Sequence, residues 1–405
     1  MANNIAVIVS CDTKENEALF VCEKVAAHEC EPILVDISCS GKACDKASIK
    51  PFEIVDGLLP TGKTLSDISK SEAINTMAQG LKHTLKMLYQ NEKIDGVIGM
   101  GGLQNTEICT AAMRELPLGF PKVMVSTVAS GRRYFASVVG KSDIVTIPSI
   151  VDFNGINRVS SVILSSAVAA ICAMAKEKQE ICWAGPCKVI ASTMMGVTND
   201  TVVLASQLMK DKGFEVLSFH STGAGGATLE GMAKAGRLDG IMDLSLQEMT
   251  AEYFGGYGFS AGANERLNGA AQAGIPMVVC PGAIDFICLR KNELFDDSEK
   301  RGMVWHNSDL AHVRLYDNEV LDIVRTICSR VNSSSGRVSV LLPRKGLRTL
   351  SEPGQVFYRP ELMEKIEMLF KELLSGGIVF KAFDMGFTDS EFALIAANEM
   401  ESLLQ

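Results

Sequence analysis

The chain has 405 residues, nearly half of them hydrophobic and 21% charged, with a formal charge of −9. That length exceeds one ordinary core and divides naturally into two domains. The acidic balance argues against nucleic acid as a main partner, because phosphate backbones need a basic surface, yet it leaves room for a local cationic pocket that takes a small anion.

Apolar runs and amphipathic stretches alternate along the chain, which predicts parallel α/β sheets. In the first half, strands are expected at residues 4–10, 32–37, 95–100, 122–126 and 143–147. Helices are expected at 15–28, 71–90, 106–115 and 157–176. The polar stretch 177–186, which turns through Gly185-Pro186, is the expected boundary between subdomains 1–180 and 187–405. The pattern then restarts, with strands at 189–193, 215–219, 240–244 and 276–280. Helices are expected at 199–212, 227–235 and 261–273. The tail adds a helix, a strand at 338–342 and further helices. Residues 119–126 and 274–281 are similar, each a Gly-x-Pro turn leading into a strand, and suggest two related sheets. In such sheets ligands bind outside the carboxyl ends of the strands.

The twelve cysteines form no CxxC pair, and His306 and His312 are not at a standard metal spacing. Scattered thiols of this kind predict a reducing compartment, the cytoplasm. No basic, apolar leader opens the chain. Residues 159–175 fall short of the ~20 apolar positions that span a bilayer, so they predict a buried helix and no membrane association.

Four strand-end segments carry the candidate chemistry. Ser10-Cys11-Asp12-Thr13-Lys14 offers Asp12 as a helix N-cap and Lys14 in the first turn, near any anion bound there. Gly99-Met100-Gly101-Gly102-Leu103-Gln104-Asn105-Thr106 allows a sharp turn into a helix whose positive end favours an anion. The run from His220 through Thr222, Gly223, Gly225 and Gly226 repeats that device and adds an imidazole. Small residues at Ser126, Thr127 and Ser130, and again at Gly282, leave room for a ligand. Gly57-Leu58-Leu59-Pro60-Thr61-Gly62-Lys63-Thr64 matches the phosphate-loop pattern. However, Ser69-x-x-Glu72 predicts a capping box that starts the helix later, which argues against a phosphate loop. Glu107, Asp152, Glu248 and Asp285 are acids that could hold magnesium or move a proton.

Taken together, these motifs resemble an uncharacterised ATP-binding family typified by the amino-terminal domain of the tomato mosaic virus resistance protein. The matching stretches run from Asp12-Thr13-Lys14-x-x-Glu17 and Gly99-x-Gly101-Gly102 to Met195-Gly196-Val197-Thr198. They continue through Phe219-His220-x-Thr222-Gly223-x-Gly225-Gly226 and Gly282-Ala283-x-Asp285 to His306-Asn307. The chain departs from the family pattern at Leu103-Gln104-Asn105, Leu244-Ser245-Leu246-Gln247, Phe286-Ile287-Cys288-Leu289 and Ser308-Asp309-Leu310. The resemblance implies two Rossmann-like subdomains, a homodimer, and a nucleotide held between the subdomains, and with Lys14 and the two glycine loops the leading expectation is ATP with magnesium. Two other readings stand beside it. One is an enzyme on a small carboxylated or phosphorylated metabolite, with His220 as acid/base and Glu248 or Asp285 as helper. The other is a nucleotide-regulated interaction protein that uses the charged segment 290–302.

Overall fold

The computed structural model describes residues 2–40, 42–129, 139–255 and 266–405. The chain forms two compact units, Met1–Cys182 and Trp183–Gln405.

The first unit is built on five parallel strands, β1 (Asn3–Val9), β2 (Cys30–Asp36), β3 (Gly96–Gly101), β4 (Lys122–Ser126) and β5 (Val145–Pro148). They lie in the order β2-β1-β3-β4-β5, the doubly wound arrangement. Because successive strand residues face opposite sides, β1 splits its apolar run between two cores. Ile5, Val7 and Val9 pack with Ala18 and Val21 of helix α1 (Cys11–Ala27), and with Leu164, Val168 and Ile171 further along the chain. Ala6 and Ile8 face the opposite core, with α3 (Lys70–Gln90) and α4 (Leu103–Met113). A short α2 (Pro51–Ile54) lies ahead of α3. Residues 158–176 form α5 (Arg158–Lys176), which is long and apolar enough to cross a membrane by length and composition. Here Leu164, Ala167, Val168, Ile171, Cys172 and Ala175 form one buried face against the sheet, at helical spacing.

The second unit repeats the winding. Strands β6 (Val189–Met194), β7 (Glu215–His220), β8 (Gly240–Asp243) and β9 (Met277–Val279) are parallel in the order β7-β6-β8-β9. The sheet continues through β13 (Val338–Pro343) to β14 (Val379–Phe383). Its helices are α6 (Asn199–Asp211), α7 (Ala224–Lys234), α8 (Gln247–Phe254), α9 (Asn268–Ala273), α10 (Ser298–Arg301), α11 (Asp317–Asn332), α12 (Pro360–Leu373) and α13 (Ser390–Leu404). One core packs Val202, Ala205 and Met209 of α6 with Phe392, Ala396 and Met400 of α13 over the sheet.

The resembling segments at 119–126 and 274–281 hold β4 and β9, each the fourth strand of its winding. The two glycine-rich loops do not correspond in this way. The first follows β3, the third strand, whereas the second follows β7, an edge strand.

Between β9 and α11 the chain departs from the expected alternation. Strands β10 (Phe286–Arg290), β11 (Met303–Trp305) and β12 (Leu310–Arg314) make an antiparallel sheet, with Cys288 opposite His312 and Val304 opposite His312 on the other side. The segment 290–302, expected to be an exposed charged loop, is partly folded inward. Arg301 is buried against Glu319 at 2.6 and 2.9 Å, and its guanidinium lies 4.1 Å from the Tyr316 ring centroid.

Candidate functional site

A cavity of about 660 Å³ opens at the carboxyl ends of β1, β2 and β3. This is the switch point, where the chain leaves β1 in one direction and β3 in the other, so the loops diverge and leave a crevice. Asp12, Thr13 and Lys14 line it from the start of α1, and Gly102, Leu103, Gln104 and Asn105 from the start of α4. A third wall comes from Leu65, Ser66, Ile68, Lys70 and Ala73, ahead of and within α3. The lining carries two lysines against one aspartate, a local cationic excess in an acidic chain. Leu65, Ile68 and Ala73 supply an apolar side. The size and the mixture are those of a small-ligand site.

The two helices that open on this cavity begin differently. The start of α1 is already satisfied from within. Asp36 is fully buried and accepts from the Cys11 amide at 3.0 Å, and the Asp12 amide donates to Ser38 Oγ at 3.0 Å. The N-cap is therefore Ser10, and Asp12 lies in the first turn, not at the cap position expected from the sequence. Helix α4 has Gly102 at its N-cap, which brings no side chain to its first amides. Gly101, at φ 147°, makes the turn with Asn105 packed against it. Asn105 is pinned by Ser10 Oγ at 2.9 Å and by the Met100 carbonyl at 3.1 Å, so the β1 and β3 loops are locked together.

Other expected ligand residues of the first unit serve the fold. Thr106 and Ser126 share a buried hydroxyl–hydroxyl bond of 2.7 Å, and the Thr127 amide donates to the Gly101 carbonyl. Ser130 lies outside the described residues. The phosphate-loop lookalike is an exposed turn. Thr64 caps a short 3-10 turn with Asp67, and α3 starts only after Ser69, whose hydroxyl accepts from the Glu72 amide. The sequence missed Lys70 as a lining residue, although a lysine directly behind a capping serine is a readable signal.

In the second unit the corresponding switch point lies between β6 and β8, and among the described residues an ion cluster stands there. Arg266 is buried there among three carboxylates, with Nη2 2.7 Å from both oxygens of Asp243, Nη1 2.6 Å from Glu230 and Nε 2.8 Å from Glu248. Thr193 on β6 donates to Asp243 at 2.7 Å. Glu248 also accepts from the Gly223 amide at 2.5 Å and the Gly226 amide at 3.0 Å. Burial pushes the Glu230 and Glu248 carboxyls above the usual range, against the pull of Arg266.

This geometry corrects the expectation for the second glycine loop. Gly223 and Gly226 donate to the protein's own carboxylate. A Cβ at Gly226 would sit 1.9 Å from Glu248 Oε2, and one at Gly225 would sit 2.1 Å from the His220 carbonyl. Gly282 likewise allows the Leu244 carbonyl to approach, which a Cβ would meet at 2.1 Å. Thr198 closes the turn that begins at Gly196 by bonding the Met195 amide at 3.0 Å, and the Thr222 amide returns to the His220 carbonyl at 2.8 Å. His220 stands exposed at the end of β7. Its expected helpers are both committed elsewhere, because Glu248 holds Arg266 and Asp285 takes the Arg348 Nε at 2.8 Å.

The two units are thus doubly wound α/β domains, and the first carries a small-ligand cavity at its switch point. Family models for the uncharacterised protein family UPF0261 match both, the N-terminal domain at residues 3–180 and the C-terminal domain at 187–404. The chain belongs to that family. It is 33% identical to a UPF0261 protein of Clostridium tetani over the full length of both. It is also 32% identical to the ToMV resistance protein Tm-1 of Solanum lycopersicum, over 95% of this chain and 54% of that protein, so it spans about half of the tomato protein. Among solved structures, UDP-N-acetylglucosamine 2-epimerase from Rickettsia bellii aligns over 69% of this chain and 79% of that one, with a TM-score of 0.24 and 10% identity.

Proposed function

We propose that the first unit binds a nucleotide, ATP with magnesium, in its switch-point cavity. The observation that supports this reading is the start of α4, without a side-chain cap at Gly102, in one wall with Lys14 and Lys70 in the others. Helix amides, lysines and hydroxyls are the groups that hold phosphates, and the apolar side formed by Leu65, Ile68 and Ala73 suits a base. Asp12 is the carboxylate of the lining and would hold magnesium together with the phosphates, since magnesium needs only one or two protein carboxylates. The ion would neutralise phosphate charge.

Titration calorimetry with ATP and magnesium, ADP, AMP and adenosine tests this. Each lysine that contacts phosphate contributes on the order of 1.5–3 kcal/mol, so Lys14→Met and Lys70→Met should each weaken ATP about tenfold or more and leave adenosine nearly unchanged. Absence of saturable ATP binding to the wild type sinks the proposal. The same reading takes the protein as cytoplasmic, which suits twelve free cysteines, and as a homodimer, which sedimentation equilibrium would test.

A further inference from the structure

The second unit holds a cationic cluster that neither glycine loop uses. Arg348 is fully buried, with its guanidinium 3.9 Å from the Phe286 ring centroid and 4.9 Å from that of Phe357. Its Nε is taken by Asp285 Oδ1, but Nη1 and Nη2 have no hydrogen-bond partner among the described residues, and neither does Asp285 Oδ2. Arg359 shows the complementary pattern. Its Nη1 donates to the Leu315 carbonyl at 2.8 Å and to Asp317 at 2.9 Å, whereas buried Nε and Nη2 have no partner among the described residues.

Asp285 ties these groups together. It holds Arg348 directly, and its charge also acts on Arg359 and on His312, whose ring stacks on His306 at 5.3 Å. The turn that presents Arg348 is built for the purpose. Gly346, at φ 133°, lets the Ser351 carbonyl approach where a Cβ would be only 2.4 Å away. The Leu347 amide donates to Ser351 Oγ at 3.0 Å, and the Leu347 carbonyl accepts from Ala283 at 3.1 Å. Lys365 pairs with Asp317 at 2.8 Å, and the charge of Arg314 also acts on Arg359.

A buried donor left unpaired costs about 1–3 kcal/mol, and four guanidinium nitrogens here are in that position. Arg348 offers its Nη1–Nη2 edge and Arg359 its Nε–Nη2 edge. Each edge is a two-donor fork that fits a pair of oxygens on a carboxylate or phosphate. The free Asp285 oxygen can only accept while it is ionised, so it fits a hydroxyl on the same ligand. We propose that the second unit binds a small hydroxylated oxyanion at this cluster, its charged end on the free edges of Arg348 and Arg359 and its hydroxyl on Asp285 Oδ2. None of these residues lines the first unit's cavity, so the proposal is independent of nucleotide binding.

The test is calorimetry on the full chain with lactate, propionate and inorganic phosphate as probes. Lactate and propionate differ by one hydroxyl, and phosphate separates the two oxyanion sources. Lactate or phosphate should bind saturably, with lactate at least about tenfold tighter than propionate if the carboxylate is the natural group. Arg359→Gln should weaken the bound probe at least about tenfold. Asp285→Asn keeps an acceptor for Arg348 Nε and should erase the lactate preference without unfolding the protein, as judged by circular dichroism. Three results overturn the proposal: no saturable binding of any probe at tens of millimolar, unchanged binding in Arg359→Gln, or a phosphate response abolished by Lys14→Met and not by Arg359→Gln. The last result would assign the anion to the first unit.

Discussion

Gly226→Ala is the sharpest test of how the second unit is held together. The new Cβ would lie 1.9 Å from Glu248 Oε2 and 2.6 Å from Arg266 Cδ and Nε, so the carboxylate has to move. Moving it loosens the bonds from the Gly223 and Gly226 amides and its contact with Arg266. Breaking a buried ion pair costs roughly 3–5 kcal/mol, and the better helix propensity of Ala over Gly returns about 1 kcal/mol. The expected net loss is about 2–4 kcal/mol. For a unit of this size each kcal/mol lowers the midpoint by roughly 2–4 °C, so a drop of about 4–16 °C is expected. Both tryptophans, Trp183 and Trp305, lie in the second unit, so tryptophan fluorescence reads its unfolding directly. Gly196→Ala in the same unit is the control. Its Cβ would have nothing within 4 Å, and it should cost no more than about 1 kcal/mol. A Gly226→Ala protein with the wild-type fluorescence midpoint would refute the idea that this carboxylate is seated by the absence of a side chain.

Two further predictions concern stability. His312 is buried beside Arg348 and His306, and its pKa is pushed down from 6.5 to about 4, with burial as the largest cause. Because the folded form resists the proton, its stability contribution is complete above about pH 6.5 and is lost as pH falls toward 4, on the order of 3 kcal/mol in all. His312→Gln should flatten that part of the curve in denaturant titrations run across the window; identical slopes would count against it. Ser69→Ala removes the cap of α3 and should cost about 1 kcal/mol by thermal unfolding of the first unit, with Ser69→Asp restoring most of it.

Much of the framework is readable from local signals. Unbroken apolar runs such as Ala6–Val7–Ile8 mark buried parallel strands, and Ser69 with Glu72 fixes where α3 begins. The antiparallel sheet was not readable. Around its strand β12 there is only one short alternation, Ala311, Val313 and Leu315 apolar with His312 and Arg314 between them, and His312 on the polar face is buried as well, through partners far along the chain such as Arg348. The site was legible in part. Lys14, Gly102 and Gln104 line the cavity as their motifs suggest, because a strand-end loop keeps ligand-facing groups close in sequence. The ion pairs of Glu248 and Asp285, expected as acid–base helpers, were not legible for the opposite reason. Their arginine partners stand 18 and 63 residues away, and only the fold shows that Glu248 holds Arg266 and that Asp285 holds Arg348 through Oδ1.

The plug around Arg266 also bears on what a duplicated winding retains. Both sheets splay their loops at the same topological position and so inherit the same crevice. In the first unit that position is a cavity, while in the second an arginine and three carboxylates of the protein's own stand there. A repeated scaffold therefore passes on a location but not an occupant. The second unit carries its unpartnered guanidinium edges at another place, beside the antiparallel sheet.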